Sequence, residues 1–96
     1  MKNNRNENYN VPYEIFVGNE LKTRFITFKP DVSIDYFYQK SIKWTILAGT
    51  EKYIVEQKDY NSSINWGNEE NLPKIIGKFR NEIAEQINQY IDDHTN

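Results

Sequence analysis

From Val11 the chain alternates apolar and polar residues at every second position, and from Leu72 it changes to steps of three and four. The first spacing puts successive side chains on opposite faces of a strand, and the second lays one stripe along a helix. Val11, Tyr13, Ile15 and Val17 against Pro12, Glu14 and Phe16 predict a strand over 11–17, its proline near the start, where a missing N–H does least harm. Gly18-Asn19 suits a tight hairpin of type II′, so a second strand over 21–29 returns antiparallel. There Phe25 points one way while Ile26 and Phe28 fall on or near the other, which predicts a central strand covered on both sides.

Lys29-Pro30-Asp31 is a turn, because proline cannot continue a ladder. Val32, Ile34, Tyr36 and Tyr38 predict a third strand over 32–39, and Ile42, Trp44, Ile46 and Ala48 a fourth over 41–48. After Gly49-Thr50, Tyr53 and Val55 mark a fifth over 52–57. The Asn, Ser and Gly of 58–71 indicate a loop, within which Tyr60, Ile64 and Trp66 make 60–66 a candidate sixth, edge strand.

Leu72, Ile75, Ile76, Phe79, Ile83, Ile87, Tyr90 and Ile91 form one apolar stripe and predict a helix over about 72–92. Asn71 is its expected N-cap, with Pro73 close to the first-turn position, and its length of about 30 Å is enough to cross a small sheet. Lys74, Lys78 and Arg80 in its positive half and Asp92 and Asp93 at its negative end run against the helix dipole, at a few tenths of a kcal/mol each on a solvated face. The expected fold class is therefore α+β: a five- or six-stranded, mostly antiparallel β-meander with one long amphipathic C-terminal helix packed on one face. Ile75, Phe79, Ile83 and Ile87 should close against Ile34, Tyr36, Trp44 and Ile46. Residues 11–96 then form one domain behind a flexible polar arm, 1–10.

At 96 residues no second domain fits, and fourteen aromatics (two Trp, seven Tyr and five Phe) supply large buried areas despite a modest apolar fraction. With no cysteine there is no disulfide, thiolate metal site or cysteine nucleophile, and a reducing compartment is the simplest fit. The polar start and the lack of any long apolar run predict a soluble, cytoplasmic protein without a membrane span. A net charge of −2 with interspersed signs gives no field to draw in a polyanion. Abundant Asn, Lys and Ile suit an AT-rich coding sequence such as that of low-GC bacteria or their phages.

Candidate chemistry is sparse. His94 is the single histidine and stands in an expected frayed end that could not orient a base. Asp59, Glu69, Glu70, Asp92 and Asp93 lack the rhythm and central glycine of a calcium loop, and the four glycines form no phosphate-cradling motif. Glu14 and Asp35 could pair across strands, but such a pair is the ordinary polar face of a sheet. No catalytic, cofactor or metal residue is expected, and no cofactor.

Single-stranded nucleic acid is a rival ligand, since Lys22, Arg24 and Lys43 accompany Tyr36, Tyr38 and Trp44 in the strand region. The parity counts against it, because those rings share the face of Ile34 and Ile46 that the helix should cover. What remains is protein recognition: Phe37 and Leu47 interrupt a polar strand face, and Tyr60 and Trp66 stand in a polar loop beside Glu69 and Glu70. These six are the candidate partner-binding residues, although Trp66, just before the helix, reads first as packing against its first turns. The expected function is a small non-enzymatic protein-binding module. In size and composition the chain resembles inhibitors and immunity proteins that phages and bacteria direct against nucleases, toxins or defence proteins. A nucleic-acid binder or a self-associating subunit, including a homodimer through the wet sheet face, is the alternative.

Overall fold

A computed structural model describes residues 9–34, 41–59 and 62–95. Four strands, β1 (Asn10–Val17), β2 (Glu20–Pro30), β3 (Ile42–Ala48) and β4 (Glu51–Gln57), form an antiparallel sheet in the order β1-β2-β3-β4. Two-residue turns close the outer pairs, with Val17 opposite Glu20 and Ala48 opposite Glu51. Gly18 and Gly49 open those turns at φ 64° and 63°, the left-handed region where a side chain would crowd the backbone.

The helical part comprises a short 3-10 helix (Glu69–Asn71), α1 (Lys74–Lys78) and α2 (Arg80–Thr95). The single helix expected over 72–92 is thus broken at Phe79, whose φ −109° and ψ 23° leave the helical region. Phe79 N–H bonds back to the Ile76 carbonyl, and Ile83 N–H to Phe79 restarts the ladder. Gly77 lies just before the break, where a glycine resists bending least. The expected Asn71 cap is absent: Pro73 is the N-cap residue of α1, without a side-chain cap bond, while Asn68 caps the preceding 3-10 helix by accepting the Glu70 N–H through its side chain.

Ile76, Ile83, Ile87 and Ile91 are buried against Val11, Ile26, Ile34, Ile42, Trp44, Ile46 and Val55, so the helical stripe closes one face of the sheet. Ile75 and Phe79, expected at the centre of that contact, are only partly buried, and Tyr36 lies outside the described residues. Phe28 and Tyr90 meet Trp44 edge-on, both at 5.7 Å between ring centres, which anchors the last turns of α2. Tyr9 adds to that end, its hydroxyl donating to Asp93 Oδ2 at 2.6 Å.

The expected third strand, 32–39, does not begin as one. Asp31 N–H donates to the Lys43 carbonyl while Asp31 Oδ1 accepts the Lys43 N–H, and this pair of bonds ends β2. The chain bends at Val32 and Ile34 sits in a 3-10 turn; residues 35–40 lie outside the described part. The candidate sixth strand reduces, among the described residues, to one bridge, Glu56 opposite Asn65. Gly67 at φ 73° and the tie from Tyr53 Oη to the Trp66 carbonyl, 2.6 Å, turn the chain away from β4 after it. Residues 1–8 of the expected arm are outside the described residues, while Asn10 already opens β1. No described helix is long and apolar enough to cross a membrane.

Candidate protein-binding face

Strand register decides which side chains the helices cover. Residues directly opposite each other share a face, so Val11, Tyr13, Ile26, Phe28, Trp44, Ile46, Tyr53 and Val55 point toward α1 and α2. The other face carries Pro12 opposite Phe25, Phe16 opposite Leu21, Thr27 opposite Leu47 and Thr45 opposite Ile54. No described element lies over it. Phe16, Phe25, Leu47 and Ile54 are 72, 52, 38 and 53% exposed, and Leu21 is exposed beside Phe16. Scattered apolar residues on a surface are ordinary, but these five follow one diagonal across all four strands.

Register also makes the first hairpin an arm. β3 pairs with β2 only from Ile26 to Pro30, so Glu20 to Phe25 has β1 as its sole neighbour. Phe16 and Leu21 lie near its tip, in a two-stranded ribbon that has little stability of its own. Polar groups border the diagonal: Glu14 toward the arm, Lys29 and Lys52 beside Leu47 and Ile54, and Lys43 opposite Glu56 near Asp31. A shallow cleft of about 310 Å³, lined by Lys43, Ile54, Val55, Glu56, Asn65 and Gly67, continues it onto the β4 edge.

Of the candidate residues, Leu47 stands on this face, whereas Phe37 and Tyr60 lie outside the described residues. Trp66 packs against the buried cluster on the helix side, so it and Leu47 are not brought together. Glu69 and Glu70 are exposed at the 3-10 helix, Glu69 pairing with Arg80 at 3.0 Å. Phe16, Phe25, Leu21 and Ile54 are not among the residues expected from the sequence. The usable signal was parity: Phe16 and Ile54 each fall between residues of the buried face, and Phe25 opposes Pro12.

The basic residues offered for nucleic acid divide. Lys22 and Arg24 oppose Ile15 and Tyr13 on the helix-side face, Lys43 is on the other, and Lys22 pairs with Glu20 at 3.0 Å. Trp44 is fully buried and cannot stack on a base. His94 is not on a frayed end: α2 runs past it, its ring stacks on Tyr90 at 4.0 Å, and its Nδ1 lies 2.8 Å from the Tyr90 carbonyl. Among the described residues no three His, Cys, Asp or Glu side chains gather as a metal site. Neither a family model, a curated protein nor a solved structure matches the chain.

Proposed function

We propose that this chain is a small non-enzymatic module that binds another protein through the uncovered face of its sheet. The supporting observation is the diagonal of Phe16, Leu21, Phe25, Leu47 and Ile54, five large apolar side chains left exposed on one face, whereas on the other face the helices bury the apolar side chains away from the arm and leave only Val17, at the arm's tip, exposed. Apolar groups ringed by charge are the usual anchors of an interface, and here Glu14, Lys29 and Lys52 form the rim. An inhibitor or immunity role, in which this face covers a working surface of a nuclease, toxin or defence protein, suits the size, the acidic composition and the absence of cysteine. Division of Lys22, Arg24 and Lys43 between two faces favours a protein over a nucleic acid as ligand.

Affinity capture from the lysate of a low-GC bacterium tests the proposal. A specific partner should be retained by wild type and by Glu82→Lys on α2, and lost with Phe25→Glu or Leu47→Lys. A tenfold loss corresponds to about 1.4 kcal/mol, the size expected of one anchor. Capture that survives both face variants, or that collapses between about 50 and 200 mM salt as a polyanion complex does, contradicts it.

A further inference from the structure

We infer that the uncovered face also pairs with a second copy of this chain, face to face about a two-fold axis; this rests on reading that face as an interaction surface. Laid flat at about 3.4 Å per residue and about 4.8 Å between strands, the apolar diagonal is about 30 Å long, from Phe16 and Leu21 through Phe25 and Leu47 to Ile54. Its ends differ in charge. Glu14 lies at the arm end; Lys29, Lys43 and Lys52 lie at the other, with Asp31 and Glu56 beside Lys43.

A two-fold axis lying in the face and crossing the diagonal between Phe25 and Leu47 exchanges those ends. Phe25 of one copy then meets Leu47 of the other, Leu21 approaches Ile54, Phe16 reaches just past it beside Glu56, and Glu14 comes down between Lys29 and Lys43. An axis along the diagonal would instead set Lys52 over Lys29, like charge on like charge, so the crossing axis is preferred. With a width of about 15 Å, the diagonal gives each copy an area of the order of 500 Å², and the pair about 1,000 Å². That is the threshold of a specific interface and the size of a transient rather than a permanent dimer.

The outer edges of β1 and β4 are poorer routes to self-association. Because Val17 and Glu20 close the first hairpin, the outward backbone groups of β1 belong to Asn10, Pro12, Glu14 and Phe16, and Pro12 has no N–H to give. Of the outward positions on β4, Glu56 is already taken by Asn65, whose N–H reaches its carbonyl at 2.8 Å. Only Lys52 and Ile54 are left there.

Sedimentation velocity on the full chain, from about 5 to about 500 µM, tests the inference. The weight-average mass should climb from one copy toward two. Phe25→Glu should raise the dissociation constant at least tenfold, and the milder Phe25→Thr should do so in the same direction if the charged variant fails to fold. Glu14→Lys should weaken the dimer, and the double variant Glu14→Lys/Lys29→Glu should restore it to within about threefold, since the exchanged charges meet again. A single-copy mass throughout, a dimer indifferent to both Phe25 variants, or no recovery in the double variant overturns the inference. A monomer whose face still captures a bacterial protein defeats this inference alone; a dimer with no captured partner defeats the proposed function alone.

Discussion

The indole Nε1 of Trp44 donates to Oε1 of Gln57 at 3.0 Å, diagonally across β3 and β4 inside the core. Gln57 is 1% exposed, and its Nε2 passes a second bond to the Ser62 carbonyl at 2.9 Å. One buried amide thus satisfies the indole donor and ties the loop after β4 to the helix side of the sheet. Satisfied buried polar groups of this kind fix a unique packing, and half-satisfied ones are costly.

Replacing Gln57 by Leu keeps the volume and strands both partners. The Trp44 N–H then faces an apolar site, so urea unfolding should show a loss of about 2 to 3 kcal/mol. In a Trp44→Phe background the same replacement should cost about 1 kcal/mol less, because one stranded group has been removed. Equal costs in both backgrounds would mean the indole bond contributes nothing.

Gly67 and Tyr53 should couple in the same way. A Cβ added at Gly67 would lie 3.1 Å from Tyr53 Oη, at a residue whose φ of 73° already disfavours a side chain. Gly67→Ala should therefore destabilise by about 1 to 2 kcal/mol. Tyr53→Phe alone should cost about 1 kcal/mol through the lost bond to the Trp66 carbonyl, and the double variant should fall short of the sum because the crowded hydroxyl is gone.

Much of this architecture is legible in the alternation. The strands expected over 11–17, 21–29, 41–48 and 52–57 match the observed ones to within a residue or so at each end, because Val11, Ile26, Trp44 and Val55 each belong to the apolar face that α1 and α2 cover. What alternation cannot supply is the identity of the covered face where both sides carry large residues. In sequence Phe25 therefore looks covered, and the open diagonal is not legible there. Bonds from side chains also override pattern: Asp31 ends β2 where Val32 and Ile34 suggested another strand, and Tyr53 diverts Trp66 from the β4 edge. The break at Phe79 lies inside a stripe that is continuous in sequence, since a glycine two residues earlier does not interrupt the period. Of the candidate interface residues, Leu47 was placed by parity, while Trp66, read from loop polarity, packs on the helix side.

Gly77 offers a test of that helical junction. Alanine in a helix normally gains about 1 kcal/mol over glycine, but here its Cβ would meet Leu72 Cδ2 at 3.3 Å. Gly77→Ala should be close to neutral in wild type and should stabilise by about 0.5 to 1 kcal/mol when measured against Leu72→Ala. A full gain in wild type would mean Leu72 moves aside freely.

The Glu69–Arg80 pair joins the 3-10 helix to α2 at 3.0 Å, yet Glu69 is well exposed and the Arg80 side chain more than a third exposed. Solvent-screened pairs contribute little, so Glu69→Gln should change the urea midpoint by less than the equivalent of about 0.5 kcal/mol. A larger loss would make Glu69 a structural residue.

The sheet divides its work: the helix-side face holds the fold, and the opposite face, which we propose for recognition, contributes little to stability. Urea unfolding of Phe25→Thr beside Ile87→Ala, at protein concentrations low enough to keep the chain monomeric, measures that division directly. Ile87, fully buried on α2, should cost about 3 to 4 kcal/mol when truncated, whereas Phe25→Thr should cost less than about 1 kcal/mol. A loss at Phe25 comparable to that at Ile87 would contradict the account, because it would make the uncovered face part of what holds the protein together.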